Sequence, residues 1–138
     1  MPKFNRVLWE QGQKVEDNIK PKIDKFLDCE FIRDDENIYD VIDFHDDTKK
    51  VAVEIKGRNI KSTRWDTTII TCGKITEGLM KMEMGYQVYY FFVFQDKTLY
   101  LKLDPNNCNY NMKMTGTNNI PHYLIPVNSL SEFREVIK

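Results

Sequence analysis

Apolar positions recur at helical spacing early in the chain, where Val15, Ile19, Ile23, Phe26 and Leu27 fall on one face and predict an amphipathic helix over residues 13–28. Pro21 lies inside that stretch and removes a backbone donor, so a kink or a split is expected near Lys20. Residues 29–33 read as a short strand, followed by the polar turn Asp34-Asp35-Glu36-Asn37. Strand patterns at 38–45 and 50–57, joined by Asp46-Asp47-Thr48-Lys49, form a hairpin signal. After a basic connector, the β-branched run at 67–70 reads as extended. Residues 73–84 suit a second helix, with Gly85 as its C-terminal cap. Residues 87–94 and 98–103 predict a second hairpin, and the Asn-rich stretch 104–120 a long surface loop. One more strand is expected at 122–127, and Ser129-x-x-Glu132 is a capping box opening a final helix.

This order, without repeats or an interdomain linker, predicts one mixed α/β domain over residues 1–138. Its central mixed sheet would be flanked by helices in the order α-β-β-β-α-β, with an added C-terminal hairpin strand, strand and helix. Composition agrees: 41% hydrophobic, 12% aromatic and 30% charged residues suit a folded domain rather than a disordered chain. The net charge of −1 supplies no global basic field, so any polyanion must be held by local patches. The longest apolar run, 88–94, is too short to span a bilayer, and the N-terminal residues lack the apolar core of a signal peptide. An intracellular place, cytoplasmic or nuclear, and no membrane partner are therefore expected.

Cys29, Cys72 and Cys108 are odd in number and far apart, which suits neither a disulfide framework nor a Cys-x-x-Cys metal site. His45 and His122 are too few and too separated for zinc chemistry. Glycine-rich phosphate loops and Gly-x-Ser-x-Gly elbows are absent as well. Any catalysis must then rest on carboxylates and lysines.

The run VAVEIKGR, residues 51–58, is where they meet. Side chains alternate along a strand, so Glu54 and Lys56 share one face while Val53 and Ile55 share the other. The pair is either the wet face of an ordinary strand or chemistry placed on a rigid element. On the preceding strand Asp40 and Asp43 lie three residues apart and face opposite ways. Asp40 joins Glu54 if paired positions sum to an even number, whereas a slip by one residue substitutes Asp43. Asp40, at the start of its strand, is the favoured candidate, with the register open. Two carboxylates on adjacent strands are hard oxygen donors suited to Mg²⁺ or Mn²⁺, and a neighbouring lysine can serve an attacking water and offset phosphorane-like charge.

Asp40 followed by Glu54-Ile55-Lys56 resembles the Asp…Glu-x-Lys signature of the PD-(D/E)XK, or restriction-endonuclease-like, nuclease superfamily. Gly12-x-x-x-Glu16 looks like the first-helix glutamate of its Holliday junction resolvase-like branch, and the resemblance spans roughly residues 12 to 94. It implies that Asp40, Glu54 and the Ile55 carbonyl hold the metal and that Lys56 serves the water. Glu16 would support the site, with Glu10 the fallback if the first helix starts earlier, and Lys74, opening the second helix, occupies a position where related nucleases place Lys or Gln. Tyr39 departs from the nominal proline. Asp47-Thr48-Lys49 also fits Asp-x-Lys, but it sits in a turn.

The connector 56–64 carries Lys56, Arg58, Lys61 and Arg64 with no acid, and Trp65 follows. Beside a phosphodiester site these cations could grip DNA phosphates, with Trp65 stacking on a base; otherwise they form a solvated loop anchored by its tryptophan. The aromatic hairpin 87–103 would offer a homodimer interface if one face stays exposed. The expected activity is a metal-dependent endodeoxyribonuclease, with a structure-selective, resolvase-like enzyme as the leading subtype. The alternatives are a restriction or repair nuclease on ordinary duplex or single strands, and a non-catalytic DNA-binding or assembly module retaining the fold.

Overall fold

A computed structural model of the chain describes residues 6–33, 44–116 and 119–134. Helix α1 (Arg6–Leu27) starts earlier than expected and runs unbroken through Pro21. Ile19 and Ile23 are buried on either side of the exposed proline, so packing of the flanking turns holds a helix that lacks one backbone bond. Three antiparallel strands follow, β1 (Ile32–Arg33), β2 (Phe44–Asp46) and β3 (Val51–Gly57). The Asp46 carboxylate accepts from the backbone N–H groups of Glu30, Thr48 and Lys49 and shapes the turn into β3.

The chain then departs from the expected order. β4 (Thr67–Thr71) leaves the main sheet before α2 (Cys72–Glu83) returns it to β5 (Gln87–Val93), which lies parallel to β3. With β6 (Thr98–Lys102), the hairpin partner of β5, and a terminal β9 (Ser131–Glu132), the main sheet reads β1-β2-β3-β5-β6-β9. A second sheet, β4-β8-β7, is built from β4, β7 (Asn111–Thr115) and β8 (Ile120–Pro126). The architecture is thus mixed α/β with two sheets.

Two predicted segments require correction. Residues 104–120 are not all loop: β7 occupies 111–115 and pairs with β8. At its turn Gly116 and Asn119 take positive φ of 88° and 51°. The final helix is absent over its described part. Val127–Ser129 form a 3₁₀ turn, and Ser131–Glu132 add to the open edge of β6. Phe133 packs edge-on against Phe26 and Phe91, so edge pairing plus aromatic burial outcompetes the capping box. Residues 135–138 lie outside the described part.

The sheet is covered on both faces. Val51, Val53 and Ile55 pack with Phe44, Phe91, Ile19 and Ile23 beneath α1. On the opposite face Ala52, Val88, Tyr90 and Phe92 pack against Ile75 of α2 and against Ile70 and Ile125 of the second sheet. α2 ends as its sequence indicates: Gly85 has φ 95°, its N–H reaches the Met82 carbonyl at 2.9 Å, and the Tyr86 N–H reaches Lys81 at 3.0 Å.

The seat of α2 is set by Gly78 and Tyr90. The Tyr90 phenol, on β5, donates to the Lys74 carbonyl at 2.7 Å. A Cβ at Gly78 would collide with that phenol oxygen and lie 2.9 Å from Leu103 Cδ2. Alanine gains about 1 kcal/mol of helix propensity, but overpacking costs about 1–3 kcal/mol. Gly78→Ala should therefore lower stability in urea unfolding, and Tyr90→Phe in the same background should recover part of the loss by removing the colliding oxygen. A stabilised Gly78→Ala protein would contradict this seating of α2.

Candidate functional site

β3 passes between β2 and β5, with Tyr90 directly beside Glu54 in the parallel register. Glu54 is 0% exposed, so the wet-face reading of this strand does not hold at its carboxylate. Two ammonium groups compensate the charge: Lys56 Nζ lies 3.0 Å and Lys74 Nζ 3.6 Å from Glu54 Oε1. Lys56 reaches back along its own strand, with a third of its side chain exposed. Lys74 comes from the first turn of α2 and is more enclosed. Its backbone is fixed by the same Tyr90 phenol, whose pKa is raised by burial and by the Glu54 charge, so Tyr90 remains a protonated donor.

Glu16 approaches from α1 on the other side of the sheet, one residue beyond Val15, whose Cγ atoms lie 3.5 Å from where a Gly57 Cβ would stand. It forms an ion pair with Arg33 of β1, which also lies over the Phe44 ring at 5.1 Å. Burial pushes the Glu16 carboxyl above its ordinary range; Arg33 and Lys56 oppose the shift and the Glu54 charge adds to it. Glu16 is therefore electrostatically coupled to the Glu54–Lys56 pair while held by Arg33. Gly12, one helical turn earlier, has no atom within 4 Å of an added Cβ, so packing does not require a glycine there.

Lys56 also lines a cleft of about 960 Å³ between the end of β3 and the outward face of β4-β8-β7, together with Arg58, Trp65, Thr71, Lys113 and His122. Arg58 is not a free cation at this cleft. Its guanidinium donates to the Ile69 carbonyl at 2.6 Å and to Thr68 Oγ1 at 3.4 Å, tying β3 to β4, and burial lowers its pKa. Trp65 is 61% exposed, and the Arg64 guanidinium lies 5.1 Å from its ring centroid. Lys61 and Arg64 are exposed on the connector.

That connector is fastened rather than loose. Asp96, in the β5–β6 turn, accepts from Ser62 N–H at 2.7 Å and Ser62 Oγ–H at 2.6 Å, while Gln95 N–H donates to the Ile60 carbonyl. Both serine bonds hold Asp96 ionised, lowering its pKa.

The structure thus brings together Glu54, Lys56 and Lys74, with Glu16 coupled through charge and with Arg58 and Trp65 on the adjoining cleft. Asp40, Asp43 and Tyr39 lie outside the described residues. The described β2–β3 pairing begins at Phe44 with Val53 and His45 with Ala52. Among the described residues no group of three His, Cys, Asp or Glu side chains could hold a metal ion, and no helix is long and apolar enough to cross a membrane. The sequence reading missed Tyr90 and Lys113. The first had a signal, since a strand that returns after a helical crossover commonly lies parallel and adjacent to the strand before it. The second depends on the second sheet. Comparison with known protein families, characterised proteins and solved structures finds no match.

Breaking a buried pair leaves an uncompensated charge and costs about 3–5 kcal/mol when fully buried. Lys74→Met should lower stability by about 2–4 kcal/mol in denaturant unfolding, and Glu54→Gln in that background should restore at least half. Restoration of nothing would show that Lys74 does not act through Glu54.

The raised pKa of Glu16 means that the folded protein holds this proton more tightly than the unfolded chain, whose value is 4.5. The stability contribution of Glu16 therefore falls as pH rises from below 4.5 through the folded value. Measured in urea at about pH 4 and about pH 7, wild type should lose ground to Glu16→Gln at the higher pH. The opposite trend would show a carboxylate stabilised by Arg33.

Proposed function

We propose that the protein is a metal-dependent DNA nuclease of the restriction-endonuclease-like type, hydrolysing phosphodiester bonds. The observation that carries this reading is a fully buried glutamate on the central strand, ion-paired to a lysine two residues on that also lines a cleft. The succession of α1, three antiparallel strands, α2 and a strand parallel to β3 supports it, with β4 as a departure toward the second sheet. Glu54 fits a hard divalent cation in chemistry: its carboxylate is a hard oxygen donor fixed by a rigid strand. The Ile55 carbonyl and an aspartate would complete the donors for Mg²⁺ or Mn²⁺. Asp40 would be that aspartate, with Asp43 as the alternative, and both lie outside the described residues.

When bound, such an ion supplies charge stabilisation at the phosphate and a more acidic water. Lys56, partly exposed toward the cleft and 3.0 Å from Glu54, can hold a proton and offset anionic charge on the phosphoryl oxygens. Lys74 keeps the second positive charge on Glu54, and Glu16 tunes the pair from α1. The Gly12-x-x-x-Glu16 element supports a structure-selective, resolvase-like subtype. A second reading, a non-catalytic DNA-binding or assembly module, is favoured by one observation: Glu54 is sealed and already compensated by two lysines.

Purified protein should cut DNA with Mg²⁺ or Mn²⁺ and stop with EDTA. Glu54→Ala and Lys56→Ala, shown to be folded by circular dichroism, should lose about 100-fold or more in rate. Asp40→Asn should be as damaging as Glu54→Ala, and Asp43→Asn milder; the reverse order would move the ligand to Asp43. Four-way junction, flap, duplex and single-stranded substrates run in parallel identify the subtype. DNA binding without cleavage in any divalent metal would establish the module instead.

A further inference from the structure

Along β4 the residues from Thr67 to Thr71 line the cleft, and the row Thr71–His122–Lys113 crosses the three strands in register. Trp65 precedes this floor at one end, and Lys113 stands on the far strand at the other. Three cations, Lys56, Arg58 and Lys113, line the cleft against one acid, Asp66. Arg58 is committed to the Ile69 carbonyl and Lys56 is shared with Glu54, so Lys113, exposed on β7, is the cation best placed for a ligand.

We propose that this cleft binds a short single-stranded stretch of DNA, with Trp65 stacking on one base and Lys113 holding a backbone phosphate at the opposite end. The inference deepens the nuclease reading and rests on it for the fate of the strand, because Lys56 would meet the same strand at the cleft wall. Three features select a single strand. An exposed indole offers a face to any unpaired base, whereas the bases of a duplex are already stacked. At about 960 Å³ the cleft matches the upper range of small-molecule sites and has room for a few nucleotides of one strand. Trp65 is also pre-positioned, since Asp96 clamps Ser62 in the same connector and the Val127 N–H bonds the Asp66 carbonyl. Little ordering entropy is then lost on binding.

Binding is measured with the full chain in EDTA, where no cleavage intervenes, by fluorescence anisotropy of labelled oligo(dT) and of a duplex of equal length. Wild type should bind the single strand about tenfold more tightly and quench Trp65 fluorescence. Trp65→Ala should weaken single-strand binding about tenfold, in line with one base stack. Lys113→Ala should reduce the slope of log K against log salt by about 0.7, one phosphate contact on a single strand. Both residues are exposed, and circular dichroism checks that the variants fold. Equal or tighter duplex binding, or single-strand affinity unchanged within about twofold in both variants, overturns the inference. Single-strand binding that depends on Trp65 and Lys113, in a protein that no divalent metal activates, would sustain the cleft and remove the nuclease.

Discussion

A carboxylate with no solvent exposure, set in the middle of a sheet, is the constraint around which the remainder is arranged. Dehydrating an ionised glutamate costs several kcal/mol unless cations and donors replace the lost water. Glu54 meets that demand from two directions, Lys56 along its own strand and Lys74 from α2. Because Lys74 must arrive at a fixed height, α2 must dock at one depth. That depth is set where the Tyr90 phenol meets the Lys74 carbonyl across a residue with no side chain, Gly78. Sheet, helix and charge cluster are therefore a single mechanical unit.

The second sheet gives this unit an outside. β4 interrupts the passage from β3 to α2 and pairs with β8, leaving the end of β3 facing a cleft floor of threonine, aliphatic and basic side chains rather than another core layer. Arg58 stitches the two sheets together through the Ile69 carbonyl, which fixes the relation between Lys56 and that floor. A basic connector read as a loop of free cations turns out to contain one structural arginine, a clamped serine and an exposed tryptophan, three different tasks within a few residues.

Much of the main sheet was legible because its signals are local. Alternation in VAVEIKGR placed Val53 and Ile55 opposite Glu54 and Lys56, and Gly85 marked the end of α2 through its left-handed backbone. What sequence could not supply was pairing at a distance. Nothing in Asn111–Thr115 announces a strand until β8 is available beside it, and Ser131–Glu132 carry a helix signal that the free edge of β6 overrides. Pro21 likewise stands in a helix because Ile19 and Ile23 are buried around it. Within the candidate site, the Glu-x-Lys pair was legible, but the seal over it was not, since that seal is made by α2 and β5 folding back.

The two-residue β9 has an implication for how the protein is made. It covers the outer edge of β6, yet it is synthesised after every other strand of its sheet. While the nascent chain is incomplete, the backbone groups of Leu99 and Tyr100 stand at an open edge beside an aromatic layer, the arrangement that recruits a foreign strand. The brief pairing at Ser131 and Glu132, with Phe133 closing over Phe91, covers that edge once the last strand is in place.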